Sequence, residues 1–437
     1  MAAALSLGLT AACAGDGSAE GQKPVQQARQ GAVEPVTLKY WTSFPPEPAL
    51  KETIAAFERA TPGIKVELRG FKAADYAKRL PEALGADGEA LDVVGVQVPT
   101  MTDEIKDRLL PVDEWDNLSE DWRDTLGETA VGQAEKAAED GKLYSVPMGS
   151  SGGAVMYYNA ALLSELGMSF PETVADLESV VMKAKKLPDL QPIVLSGEPR
   201  RQEELLFTIV GQSDPGLSDD LFAGDKRWNS PEMVSALVAY KSLFDRGVVD
   251  KSVLSLKGDG PAKLFTSGKA LFLVDDSGRS PLLSDSYRKD NKVSLTDVGA
   301  GAFPVLLPGG KPAVRSQVEE GLGIPKDSKH AAEAAELIKF LTLGDGVAKW
   351  SKNMTLVPAL KDFQMDPSVF STDAAREGYA EVQEVIGAGG SARTSSRAFL
   401  DEVEGDVILG VARGRLSPEK AADQLQKEWS SGRFDLG

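Results

Sequence analysis

From Val36 onward the hydrophobic positions change period several times, and each change predicts an element. Val36-Thr37-Leu38-Lys39-Tyr40 alternates apolar and polar side chains, the two-residue period of a half-buried strand. Leu50, Ile54 and Phe57 then share one helical face, which Pro62-Gly63 ends. Ile64-Lys65-Val66-Glu67-Leu68 alternates again, and a second helix carries Tyr76 and Leu80. Leu91-Asp92-Val93-Val94-Gly95-Val96 is a continuous run suited to a strand buried on both faces. Two successive strand–helix–strand units imply a mainly parallel sheet with right-handed crossovers.

Further along, the helical stripes lengthen and their caps become legible. Thr173 and Asp176 have the spacing of a capping box ahead of Val174, Leu177, Val181 and Ala184. Ser230-Pro231 reads as an N-cap followed by proline in the first turn, with Met233, Leu237, Tyr240 and Phe244 behind it and Gly247 as the stop. Ser328 is expected to open a helix carrying Leu337, Ile338 and Leu341. Ser417-Pro418 is expected to open the last one, carrying Leu425 and Trp429. These stripes read as core, and no internal repeat interrupts them.

Ahead of the body the pattern differs. Ala2 to Ala12 is apolar but far shorter than the ~20 residues of a membrane-spanning helix, so residues 1–12 read as a secretory signal. The stretch runs into Leu9-Thr10-Ala11-Ala12-Cys13, and Cys13 is the single cysteine of the 437 residues. This arrangement resembles a bacterial lipoprotein signal, with Thr10 where leucine is usual and no basic residues at the start. The resemblance implies that Cys13 is acylated and that 13–35 is a lipid-anchored flexible tether reaching roughly 25 Å. The body would then sit on the outer face of the cytoplasmic membrane. The alternative is an incidental cysteine behind a cleaved signal.

Composition narrows the function classes. The formal charge of −18 argues against nucleic acid or anionic lipid as partner, since both need basic surface. One cysteine permits no internal disulfide and no cysteine-based metal cluster. The single histidine, His330, leaves little room for Ser-His-Asp or histidine–metal chemistry and reads as a solvated residue at a helix start. There is no phosphate-cradling loop, dinucleotide fingerprint, nucleophile elbow or calcium loop. Gly149-Ser150-Ser151-Gly152-Gly153 lacks the strand–helix setting of a phosphate loop. No cofactor or metal is implied, and the 66 acidic residues are too many for a two-carboxylate site to be read from their number.

The order of segments carries more. Gly141-Lys142-Leu143-Tyr144-Ser145-Val146-Pro147 leads to Tyr157-Tyr158-Asn159, Leu166-Gly167-Met168 and Pro171-Glu172-Thr173. Trp228-Asn229-Ser230-Pro231-Glu232, then Phe265-Thr266-Ser267-Gly268-Lys269-Ala270, then Glu320-Gly321-Leu322-Gly323-Ile324 follow in order. Together they resemble the extracellular solute-binding proteins of ABC importers, of the maltose- and oligosaccharide-binding type, from Val36 to the C-terminal helix. The resemblance implies an α/β, two-lobed periplasmic-binding-protein-like fold, each lobe a mainly parallel sheet flanked by helices. Lobe one is expected to hold 36–147 and 262–325, and lobe two 148–261 and 326–437. It further implies a monomer that binds a sugar or short oligosaccharide in the cleft between hinged lobes and delivers it to the permease subunits of an ABC importer, without catalysis.

Loops after strand C-terminal ends are the natural cleft lining. They nominate Trp41, Ser43 and Gln97 from the first strands, Ser150 and Ser151 at the crossover, Asp276 and Arg279 after Leu271-Phe272-Leu273-Val274, and Glu320 on the return. Glu204 is the nominee from the second lobe. Trp41 is either a stacking platform for a sugar or a residue packed under the lobe edge. Sugar-binding relatives commonly carry a tryptophan where this chain has Asp275-Asp276-Ser277-Gly278-Arg279, which leaves room for a polar or cationic solute. Two other readings stay open: a secreted glycosidase using a pair from Asp275, Asp276, Glu319 and Glu320, and a lipid-anchored scaffold with no small ligand.

Overall fold

The computed structural model describes residues 35–432 apart from 86, 87, 89, 117, 120 and 390–399. The chain first builds β1 (Val36–Thr42), α1 (Glu47–Ala60), β2 (Ile64–Gly70), α2 (Ala73–Ala83), β3 (Val93–Val96), α3 (Val98–Ile105), α4 (Glu128–Ala137) and β4 (Val146–Gly152). It then passes into β5 (Val155–Asn159), α5 (Ala160–Glu165), α6 (Val174–Ala184), β6 (Gln191–Leu195), α7 (Pro199–Gly211), α8 (Leu217–Ala223) and α9 (Pro231–Asp245). From there α10 (Gly260–Thr266), β7 (Ala270–Asp275), α11 (Asp285–Asp290) and β8 (Val298–Ala302) complete that half. A return contributes β9 (Ser316–Gly323), α12 (Ala331–Thr342), α13 (Val347–Trp350) and β10 (Val357–Pro358). Helices α14 (Asp373–Ala388), α15 (Leu400–Ala412) and α16 (Pro418–Ser430) close the chain.

Two sheets result. The first has the order β10-β4-β9-β3-β1-β2 and the second β6-β7-β5-β8. Strand β1 pairs parallel with β2 and β3, while β9 lies antiparallel between β3 and β4, so β1 to β4 all run the same way. In the second sheet β6, β7 and β8 share a direction and β5 opposes them. The mainly parallel expectation therefore describes strand directions, with β9, β10 and β5 as the reversed members.

Each sheet buries its own core. Leu38, Tyr40, Val93, Val318 and Leu322 meet α1, α4, α12 and α13 on one face of the first sheet. Val94, Val96 and Trp41 meet α2 and α3 on the other. The second core joins β5 to β8 with α6, α7, α9, α14, α15 and α16. Each wholly buried aliphatic or aromatic side chain contributes roughly 1.5–3 kcal/mol to these cores.

Most local signals lead where the pattern pointed. Leu50, Ile54 and Phe57 are buried on α1, and Thr173 with Asp176 forms a complete capping box. Ser230 and Ser417 cap α9 and α16 through their side chains. Ser328 does not open α12, which begins three residues later behind His330. Its hydroxyl instead binds Asp92 Oδ1 at 2.7 Å, tying the return segment to the start of β3.

The division of the chain differs from the expected one. Strands β7 and β8 lie in the second sheet, although 262–325 was assigned to the first lobe, because β7 finds a parallel edge on β6 and β5 fits between β7 and β8. Helices α12 and α13, assigned with 326–437 to the second lobe, pack in the first core through Leu337, Ile338, Leu341 and Trp350. Three segments thus pass between the halves: Gly153-Ala154 between β4 and β5, residues 303–315 between β8 and β9, and residues 359–372 between β10 and α14. The first two are joined where the Gly153 amide donates to the Arg315 carbonyl at 2.9 Å.

Candidate functional site

The first crossing brings the two halves together. At its start the Gly152 amide donates to Ser277 Oγ at 3.0 Å, linking the end of β4 to the turn after β7. Gly153 packs against Glu204 so tightly that a Cβ there would sit 3.1 Å from the Glu204 Cβ. The polar end of β4 therefore meets the beginning of α7 and the end of β7.

The second-half wall is a network of ions. Arg201, in the first turn of α7, pairs with Glu204 at 2.8 Å, with Asp276 at 2.6 Å and with Asp275 at 3.6 Å. Arg200 reaches Glu204 at 3.7 Å. Arg279 pairs with Asp275 at 2.9 Å and with Asp259 at 2.8 Å. Asp276 also accepts the Gly278 amide at 2.9 Å, which shapes the turn. Burial, and next the neighbouring Asp276 charge, raise the Asp275 carboxyl above its ordinary range, while Arg201 and Arg279 pull it back down.

The first-half wall is quieter. Gln97, at the end of β3, donates to Ser43 Oγ at 3.1 Å, so these two nominees meet. Ser151 is buried opposite Gln317 in the β4–β9 ladder and donates to Glu319, two residues further along β9. Ser150, on the opposite face of the same strand, lines a hollow of about 500 Å³ whose other walls are α4, β10, the third crossing and α14. Phe363 on that crossing packs against both cores.

Trp41 takes the packed one of its two readings, and Glu320 stands elsewhere than expected. Trp41 is 5 % exposed and no platform. Its ring lies 4.7 Å from that of Phe71, the Arg69 guanidinium stacks 5.0 Å above it, and its carbonyl accepts the Tyr76 hydroxyl at 2.9 Å. The end of β1 is covered on both faces, so alternate positions there no longer divide into inside and outside. Glu320 is wholly buried in the first sheet, where its Oε1 accepts from Thr42 at 2.9 Å. Burial pushes its carboxyl well above the usual range. It lines no open surface, and of the other carboxylates nominated for a glycosidase, Asp275 and Asp276 are held by arginines while Glu319 is half-buried and accepts from Ser151.

Sequence reasoning missed Arg200 and Arg201, the centre of the wall. Their signal was present: both precede Glu204 at helical i,i+4 and i,i+3 spacing behind a helix-opening Pro199. It also missed the buried pair of Glu203 with Arg315, which fastens α7 to the second crossing, the Arg315 guanidinium lying 4.8 Å over Phe207. Gln212 does similar work, donating to the Pro304 carbonyl at 2.9 Å and accepting the Leu306 amide at 2.8 Å. Cys13 lies outside the described residues. Among the described residues no helix is long and apolar enough to cross a membrane.

Residues 52–378 match the family of bacterial extracellular solute-binding proteins. The chain belongs to this family. It is 23 % identical over 338 residues to a multiple sugar-binding protein of Streptococcus mutans, covering 74 % of this chain and 75 % of that protein. It is 24 % identical over 311 residues to an ABC transporter extracellular-binding protein of Pyrococcus horikoshii of uncharacterised role, covering 67 % of this chain and 65 % of that protein. Among solved structures it is similar to maltose-bound MalE3 of T. maritima, with a TM-score of 0.65 at 20 % identity over 91 % of this chain and 99 % of that one. The fold is thus the two-lobed one of solute-binding proteins, and members of this family are binding proteins rather than enzymes. The two halves described above are its lobes.

Proposed function

We propose that this protein is the solute receptor of an ABC importer, held to the outer face of the cytoplasmic membrane by a lipid on Cys13. A sugar or short oligosaccharide binds between the lobes and is handed to the permease subunits. The observation that carries the reading is the meeting at the first crossing, where the Gly152 amide and Ser277 link two lobes that converge polar side chains: Ser151 and Glu319 from one, Arg201, Glu204 and Asp276 from the other. Contacts drawn from both lobes are what a solute needs to shift a hinged protein toward its closed form. The sugar named for the Streptococcus mutans relative and the transporter named for the Pyrococcus horikoshii relative support the solute class and the partner. Trp41 and Glu320 support the site from within the first lobe rather than touching the solute.

A thermal-shift screen of the Cys13→Ser chain against sugars, amino acids, peptides and polyamines tests the reading. A saturable rise in Tm with one solute class is expected, about 2.7 kcal/mol of stabilisation at a hundred times Kd. No rise with any solute contradicts it. The anchor has its own test, because Cys13→Ser should move the protein from the membrane fraction to the medium, and a variant that stays membrane-bound rules the lipid out.

A further inference from the structure

We infer that the ion pair of Lys136 with Asp219 is a latch that holds the lobes apart on the solute side, so that breaking it, far from the solute, raises affinity. The second half of this inference rests on the cleft being the solute site. Lys136 on α4 belongs to the first lobe and Asp219 on α8 to the second, and their Nζ and Oδ2 atoms stand 3.4 Å apart across the gap between the lobes. Neither has another ionic partner among the described residues. Glu135, beside Lys136, is held by Arg123, while Lys226 holds both Asp214 and Asp220, beside Asp219.

The pair lies across the crossings from the solute wall. Helix α4 packs through Ala130 and Ala134 with Met148 and Val318, on the face of β4 and β9 that also bears Ser150. Ser151 and Glu319, which the solute reading uses, stand on the other face. Helix α7 spans the distance between the two sides. Arg201 and Glu204 sit near its start, and its 13 residues, about 20 Å at the usual helical rise, lead on to α8. The α4 side is the occupied one in this structure. There α4 also meets α14, across the hollow of about 500 Å³ that Ser150 and Ile386 line. On the wall side, Ser43 and Gln97 bond each other and nothing on the second lobe among the described residues. Two rigid lobes turning about crossings that lie between these sides cannot narrow one without widening the other. The pair is therefore lost on closure, and it stabilises the form seen here against the closed one. Because solute binds the closed form, whatever eases closing raises the apparent affinity by the same factor. Lys136 is 69 % exposed and Asp219 35 %, so the effect is a few-fold one.

The first test needs no solute. In the full Cys13→Ser chain, dyes on Lys72→Cys, just past the end of β2, and on Lys257→Cys, two residues before Asp259, report the solute-side distance by single-molecule energy transfer; both positions are exposed. At about 0.02 M NaCl, Lys136→Gln should enlarge the short-distance population about two- to fourfold, and Lys136→Glu, which sets a like charge against Asp219, should enlarge it further. Adding Asp219→Lys to Lys136→Glu should restore the wild-type population, which a loss of α4 packing would not allow. Raising NaCl to about 0.5 M should move the wild type toward Lys136→Gln and leave Lys136→Gln where it is. Lys51→Gln, which breaks an exposed pair with Glu47 inside α1, should change nothing. Calorimetric titration with maltotriose supplies the linked readout, its Kd falling about two- to fourfold with Lys136→Gln. Equal solute-free populations in the wild type, Lys136→Gln and Lys136→Glu overturn the inference. So does a failure of Asp219→Lys to restore the wild-type population, or a maltotriose Kd that Lys136→Gln leaves unchanged, and the receptor reading survives each of these results. No maltotriose binding by any form, with no hit in the thermal screen, contradicts the receptor reading, and the solute-free populations still decide the latch.

Discussion

The Thr42 hydroxyl donates to Glu320 Oε1 at 2.9 Å, joining the last residue of β1 to the middle of β9 inside the first lobe. The carboxyl occupies the space above Gly95, where a side chain on β3 would otherwise stand. The same Thr42 oxygen accepts the Phe44 amide at 3.1 Å, so the loop bearing Ser43 hangs from a buried acid. Ser43 in turn accepts from Gln97. Glu320 therefore shapes the first-lobe wall without reaching its surface. Tyr40 and Tyr76, whose hydroxyls feel its charge, are themselves raised, chiefly by burial.

Stability should fall with rising pH because of this group. Glu320 has a raised pKa in the folded state, so below the ordinary glutamate range both states hold the proton and the group contributes no pH dependence. Above that range, about 4.3, the unfolded chain ionises first while the folded chain must keep its proton, and stability is lost until the folded group titrates as well. Glu320→Gln keeps an acceptor for Thr42 and cannot ionise. Tm followed from about pH 4 to about pH 8 should show the variant gaining on the wild type as pH rises. Parallel profiles would mean that Glu320 is ionised in the fold.

Gly95→Ala should destabilise by roughly 1–3 kcal/mol, because the added methyl overlaps the Glu320 carboxyl and stands 2.8 Å from Thr42 Oγ1. Combined with Glu320→Ala, which empties that space, the cost of Gly95→Ala should shrink. Urea unfolding of both single variants and the double variant measures the coupling, and simple additivity would place the carboxyl elsewhere.

Arg315→Met should cost about 3–5 kcal/mol in the same assay, since it leaves the Glu203 charge buried and removes a guanidinium stacked over Phe207 and Phe222. Glu203→Gln together with Arg315→Met should recover part of the loss. If the double variant is as unstable as the sum of both changes, packing over the rings rather than charge pairing holds the second crossing to α7.

Trp41→Ala should lower stability by about 3–5 kcal/mol through loss of packing against Phe71 and under Arg69. Under conditions where the variant is fully folded, solute affinity should change little. A stable variant that has lost its affinity would put Trp41 back in the cleft.

How much of this was readable beforehand depended on the range of the interaction involved. The capping box of Thr173 and Asp176, the stripe of α9 and the alternation at the start of β1 rest on near neighbours, and each appears where the spacing put it. The membership of β7 does not: Leu271-Phe272-Leu273-Val274 is apolar throughout and suits an interior strand of either sheet, so only long-range pairing decides. Trp41 was ambiguous because the pattern loses its period where β1 is buried on both faces. Glu320 broke the rule that acids stay outside, and its glycine partner lies more than two hundred residues earlier. Asp275 and Asp276 looked like unbalanced acidity because Arg201, which offsets them, sits on a different element.

The central claim, that a solute bound between the lobes draws them together, is most directly measured by energy transfer between dyes on the two lobes. Removing the one native cysteine with Cys13→Ser allows specific labelling of new cysteines at Glu52 on α1 and at the exposed Met182 on α6. A solute found by thermal shift should shorten the interdye distance, saturating at one solute per chain, with Arg201→Gln shifting the midpoint to higher concentration. A solute that raises Tm while the distance stays constant would contradict binding between the lobes.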